Sequence, residues 1–184
     1  MEQILIKSII NILRGRSLFL VGMMASGKSF TGPNLAQKLG YKFIDLDSTI
    51  EKVAQKSINS IFAEDGEKLF REIETKCLKE VIQYPNLVIS TGGGVVLESE
   101  NWGILRQGIV VWINLDKDIG LKRLSSEIEK RPLLRGDNFT QKYDEILNSR
   151  INLYSQADIE VKVKNENVDD VVQKILIELK RKII

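Results

Sequence analysis

The stretch GMMASGKS, residues 22–29, constrains this chain more than any other, because it dictates both its own conformation and what must flank it. Gly22, Gly27, Lys28 and Ser29 satisfy the G-x-x-x-x-G-K-S spacing of a phosphate-binding loop. The apolar run SLFLV precedes it, and a helix is expected over 27–39, stopped by Gly40. Such a strand, turn and helix N-terminus aim backbone N–H groups at an anion. Lys28 is placed to reach the outer phosphates of a nucleoside triphosphate, and the Ser29 hydroxyl to ligate magnesium. A chance match is the alternative, and the strand and helix on either side argue against it.

The same alternation continues along the chain. YKFIDLD, NLVISTGGG, GIVVWINL and DIEVKV read as strands, with helices expected over 48–55, 58–65, 68–83, 117–128, 143–156 and from 168 onward. Alternating strands and helices predict an α/β fold with a mostly parallel sheet covered on both faces. A chain of 184 residues suits one such domain, here 17–184. Residues 1–16, apolar at Ile6, Ile9, Ile10 and Leu13, form a separate N-terminal helical extension, packed on the domain, loosely attached, or lying on a membrane surface. No apolar run approaches the roughly 20 residues that span a bilayer. The polar connection EKRPLLRGDNFTQK, about 129–142, is the candidate for a mobile lid.

Composition removes whole reaction classes. With no histidine, Ser-His-Asp chemistry, Cys-His chemistry and imidazole metal sites are all excluded, leaving Lys, Arg, Asp, Glu, hydroxyls or a bound ion. The single cysteine, Cys77, cannot form an intrachain disulfide, which suits a reducing, cytoplasmic setting. Its 27 Lys and Arg against 25 Asp and Glu are interspersed, so no nucleic-acid partner is expected.

Several further residues can carry chemistry. In YKFIDLD, Asp45 and Asp47 are two apart and, in a strand, would face the same side. One could help hold magnesium through water while the other meets a substrate hydroxyl, or both could be a polar strand end. Gly92, Gly93 and Gly94 at the end of a parallel strand would let a ligand approach bare amides, with Ser90 near the metal. In FREIE, Glu74 lies one turn beyond Arg71 and can hold its guanidinium; Arg150 has Tyr154 one turn on. Each arginine, taken alone, would equally suit an ordinary helix surface.

Taken together, GMMASGKS, DLD, FREIE, TGGG, RPLL and RINLY occur in the order and spacing of shikimate kinases, and the resemblance spans roughly 18–163. It implies a three-layer α/β/α phosphate-loop kinase fold with a five-stranded parallel sheet and a lid, working with ATP and Mg²⁺ as a monomer. It further implies transfer of the γ-phosphoryl of ATP to the 3-hydroxyl of shikimate. Carried over residue by residue, Asp47 would bind the ring hydroxyls and orient or deprotonate the attacking one. Arg71, Arg150 and the Gly92, Gly93 and Gly94 amides would hold the carboxylate and ring against Phe62 and Phe70. Lys28 and Arg131 would neutralise the transferring phosphoryl. Gly22, Ala25, Ser26, Gly27, Phe30 and Arg123 would complete the ATP site, with Ser29 on the metal and Asp45 supporting it through water.

Three residues depart from that pattern: relatives usually carry Gly at Ala25, Thr at Phe30 and a residue other than proline at Pro33. A left-handed Ala25 would cost about 1–2 kcal/mol. Pro33 deletes the hydrogen bond to the Ser29 carbonyl at about 3 kcal/mol, so a bent or locally loosened helix is expected, with Gly32 absorbing the kink. A gluconate-type kinase of the same architecture, or a nucleotide-binding relative that has lost catalysis, are the competing readings.

Overall fold

Every residue of Leu18–Val21 (β1) is buried, which requires cover on both faces of the sheet. The computed structural model, which describes residues 2–125, 133 and 138–183, supplies that cover. β1 pairs in parallel with Leu87–Ser90 (β3) on one side and Ile109–Leu115 (β4) on the other. Lys42–Asp45 (β2) and Ile159–Val163 (β5) form the edges, so the sheet among the described residues has five parallel strands in the order β2-β3-β1-β4-β5. The edges betray their position: β5 alternates buried and exposed residues, and β2 is only half buried.

Successive β1 side chains point to opposite faces and nucleate two cores. Phe19 and Val21 pack with Ile89, Val110 and Trp112 against Leu78 of Gly66–Val81 (α5) and Tyr143 and Tyr154 of Phe139–Tyr154 (α8). Leu18 and Leu20 pack with Val88 and Ile113 against Leu35 of Lys28–Leu39 (α2) and Ile175 of Val168–Ile183 (α9). Glu2–Leu13 (α1) joins this second core through Ile9 and Leu13, and the Glu2 carboxylate accepts from Lys38 and Gln173, each at 2.6 Å. The N-terminal helix is therefore packed on the domain. No helix among the described residues is long and apolar enough to cross a membrane.

The chain passes from β1 to β2, returns to β3, then crosses to β4 on the far side of β1. Such a reversal leaves a crevice at the carboxyl ends of the central strands. The loop after β1 and the glycines after β3 both open into it.

Several boundaries differ from the sequence reading. β2 ends at Asp45, and Leu46–Ala54 (α3) begins at once, because the Asp45 side chain caps that helix by accepting from the Ser48 N–H at 3.1 Å. Asp47 is thus in the first helical turn, not two residues along a strand from Asp45, and the expectation of one shared strand face is corrected. The helix expected over 58–65 is a short turn, Ile58–Ser60 (α4), running into a π-helical turn, Ile61–Asp65. Ser99–Leu105 (α6) was not expected; seven residues are too few to show a period, and it is fixed by Trp102 and Asn101 side chains donating to the Val96 and Val95 carbonyls. Lys117–Leu124 (α7) follows β4, and α8 takes in 139–142 at the end of the expected lid. The remainder of that connection, apart from 133 and 138, lies outside the described residues.

α2 runs unbroken through Pro33, so the expected loosening is not present as a break. Pro33 and Ser29, one turn before it, are both exposed, so the carbonyl that loses its partner faces water and is not buried unpaired. The inner face, with Thr31, Gly32, Leu35, Ala36 and Leu39 buried, holds the helix. Gly32 has a different task from the one expected, since any Cβ there would overlap the Phe43 ring. Pro33→Ala should therefore raise stability by about 1–3 kcal/mol, and Gly32→Ala should lower it by about 1–3 kcal/mol. Urea denaturation of the two variants checks this, and shifts of the same sign would contradict it.

Candidate active site

The phosphate loop joins β1 to the N-terminus of α2. Gly27 caps α2 with a φ of 92°, and Ala25 adopts the left-handed region at 61°, so the foreseen strain is present. Lys28 Nζ is buried inside the loop, donating to the Gly22 and Met23 carbonyls at 2.8 Å each and to Ser26 Oγ at 3.2 Å. Ser29 Oγ donates to Asp45 Oδ2 at 2.7 Å and lies 3.4 Å from Ser90 Oγ. Arg123, on α7, donates from Nη1 to the Ala25 carbonyl at 3.2 Å, which brings a guanidinium onto the loop from the opposite side. A cavity of about 550 Å³ opens over these groups, lined also by Phe30, Asp47, Thr91 and Gly93, and by Val163 of β5, Glu166 in the turn that follows, and Val168 and Val171 at the start of α9.

Beside it lies a smaller cavity of about 80 Å³, walled by Asp47, Phe62, Phe70, Arg71, Arg150 and the glycines 92–94. Phe62 and Phe70 pack at 4.8 Å between centroids, and Arg71 stacks on Phe70 at 4.9 Å. Arg71 is held from two sides, by Glu74 at 2.6 Å and Glu67 at 2.9 Å. Burial opposes the Arg71 charge, but the two carboxylates outweigh it and hold the guanidinium pKa above its ordinary value. Glu74 has no exposed surface. Burial pushes its carboxyl pKa up, and neighbouring Asp47 adds to the rise while Arg71 opposes it. Gly92 lies so close that an added Cβ would come within 2.8 Å of Glu74 Oε1 and 2.9 Å of Asp47 Oδ1. At Gly94 it would overlap the Arg71 guanidinium. A side chain at either position would therefore displace the charged groups of the small cavity.

Arg150 is also buried, and its Nε has no hydrogen-bond partner among the described residues. A buried cationic group with an unused donor is suited to an anionic ligand. Tyr154, one turn on, donates its hydroxyl to the Gly93 carbonyl at 2.6 Å and stacks on Trp112. Burial pushes the Tyr154 phenol up to about 12, so it stays a donor throughout the neutral range.

The sequence-predicted residues thus line two adjoining cavities, except Gly22 and Asp45, which stand behind the lining on Lys28 and Ser29, and Arg131, which lies outside the described residues. Sequence reasoning missed Met24, Thr91, the Val163, Val168 and Val171 wall, and the second carboxylate on Arg71. Only Glu67 had a readable signal, its spacing of four residues from Arg71.

A phosphate loop at the switch point of a parallel sheet, with a small cationic pocket beside it, defines a phosphate-loop small-molecule kinase fold. The sequence model of shikimate kinase matches residues 24–180, and the chain belongs to the shikimate kinase family. The shikimate kinase of Prochlorococcus marinus is 51% identical over 155 residues, covering 84% of this chain and 78% of the relative. That of Gloeobacter violaceus is 49% identical over 150 residues, covering 82% and 85%. Among solved structures, the shikimate kinase from Acinetobacter baumannii in complex with shikimate superposes with a TM-score of 0.88 at 34% identity, covering 94% of this chain and 97% of that one. A gluconokinase from Sinorhizobium meliloti, at 17% identity and a TM-score of 0.56 over 91% and 93%, shares the fold alone.

The two carboxylates on Arg71 should differ sharply in weight. Glu74→Ala leaves a buried guanidinium short of its buried partner and should cost about 3–5 kcal/mol of stability. Glu67→Ala removes a half-exposed partner and should cost no more than about 1 kcal/mol. Chemical denaturation distinguishes them, and equal losses would mean that burial does not set the value of this pair.

Proposed function

We propose that this chain transfers the γ-phosphoryl of ATP to the 3-hydroxyl of shikimate. The observation that carries the reading is the position of Asp47, which lines both the large cavity over the phosphate loop and the small cationic one. Met24 and Gly93 are likewise common to both, so the cavities meet where Asp47 stands. A nucleotide in one and a small anionic polyol in the other would bring phosphoryl donor and acceptor hydroxyl together at that carboxylate.

The roles follow from the chemistry of each group. Arg71 and Arg150 hold the acceptor carboxylate through charge-assisted hydrogen bonds, and Phe62 and Phe70 form the apolar wall against its ring. Asp47 accepts the hydrogen of the attacking hydroxyl, orienting its oxygen and drawing off the proton. Lys28 and the amides of Gly27, Lys28 and Ser29 neutralise the phosphates. Arg123 lies on the nucleotide side of the loop. This division needs no histidine, because phosphoryl transfer depends on positioning and charge stabilisation.

The oxygen-only cluster of Ser29, Asp45 and Ser90 suits Mg²⁺, a hard cation that keeps several waters and takes phosphate oxygens. Ser29 would ligate it, and Asp45, already on the Ser29 hydroxyl, would support it through water. When bound, the ion supplies charge neutralisation on the outer phosphates. The lone buried Cys77 supports a reducing, cytoplasmic setting.

ADP release with Mg-ATP, compared for shikimate, gluconate and no acceptor, tests the assignment. Turnover is expected with shikimate alone; turnover on gluconate alone would overturn the substrate, and ATP binding without turnover on either would indicate an inactive relative. Asp47→Asn should lower kcat by about 10²–10⁴-fold while ATP binding persists. Full activity in that variant would remove Asp47 from the chemistry.

A further inference from the structure

Phe30 is 75% exposed, although it sits in the first turn of α2 and lines the cavity over the phosphate loop. Its ring belongs to neither hydrophobic core. Its neighbours Lys28, Ser29 and Thr31 are polar, and the turn is already fixed by the Phe30 and Thr31 amides donating to the Gly27 carbonyl at 3.1 and 2.8 Å. The fold therefore makes no visible use of this phenyl group.

The cavity that Phe30 lines has two chemical characters. One part is the phosphate cradle, where Lys28 is buried and Ser29 turns its hydroxyl to Asp45 and Ser90. Phe30 is the next residue, about 100° further round the helix, so its side chain leaves α2 in a different direction from the Ser29 hydroxyl. The other part is lined by Val163, Val168 and Val171, with the Arg123 guanidinium and the Glu166 carboxylate, itself paired with Lys174, a surface with little to offer a phosphate and much to offer a flat, weakly polar group. An exposed ring at the edge of such a space gains by being covered when the space fills.

We infer that the Phe30 ring contacts the nucleoside part of the bound nucleotide, closing over its sugar and base, and so adds affinity that the phosphates alone do not use. The inference rests on the reading of this cavity as the ATP site. It gives the Phe30 side chain a role in selecting nucleotide over bare polyphosphate.

Calorimetric titration of wild type, Phe30→Ala and Phe30→Tyr with Mg-ATP and with magnesium tripolyphosphate tests it. From the apolar area at stake, Phe30→Ala should weaken Mg-ATP binding about five- to tenfold, leave tripolyphosphate within about twofold, and raise KM for ATP more than it lowers kcat. Phe30→Tyr, which keeps the ring, should bind Mg-ATP within about twofold of wild type. A substitution this exposed should leave the thermal midpoint unmoved, which checks that the fold is intact. Unchanged Mg-ATP binding in Phe30→Ala, or an equal loss for both ligands, would overturn the role of the ring while leaving the ATP site standing. Wild-type protein that does not bind Mg-ATP would overturn both.

Discussion

Glu74 is a carboxylate with no exposed surface, and the acceptor side of the molecule is arranged around it. Ionised carboxylates are rarely buried without a partner, because the cost of leaving water must be met by charge and hydrogen bonds. Arg71 provides both at 2.6 Å, and in doing so is itself fixed against Phe70 and beneath the Gly94 backbone. The same carboxylate stands beside Gly92 and feels the charge of Asp47. One buried group therefore couples the Arg71 guanidinium, the glycine-rich strand end and the acid at the junction of the two cavities. A surface ion pair of the same geometry would leave Arg71 free to sample many rotamers and would bind an anion with far less selectivity.

The sheet order sets that local arrangement beside the phosphate loop, so that two cavities adjoin. Because β3 lies beside β1, the glycines of one strand end and the phosphate loop of the other open side by side. Tyr154 then ties the Gly93 carbonyl to α8, the helix that also carries Arg150. Side chains from α3, α5 and α8 and backbone from two strand ends thus converge on one small volume. These elements are well separated along the chain.

The unusual residues of the phosphate loop fit this picture. Ala25 occupies a left-handed conformation that costs an alanine about 1–2 kcal/mol, yet its carbonyl accepts a hydrogen bond from Arg123. A charge-assisted bond of that kind offsets part of the strain and fixes a guanidinium at the nucleotide cavity. Pro33 is tolerated for a simpler reason, since the hydrogen bond it removes faces water on the outer side of α2.

The sequence by itself determined the five strands, the phosphate loop and the placement of Lys28, Ser29, Arg71 and Glu74, because each is written in local terms: an apolar run, a fixed spacing, or a one-turn separation on a helix. It misplaced Asp47, because whether a strand continues past Asp45 depends on that side chain capping a helix, and DLD has the same letters either way. It was silent on α6 and on the valine wall of β5 and α9, which are ordinary apolar residues until the sheet brings them to the nucleotide cavity. The bond from Tyr154 to Gly93 joins positions 61 residues apart. Only the tertiary structure decided these features, because burial and close approach are properties of surfaces that meet, and a linear sequence does not state which of its surfaces will do so.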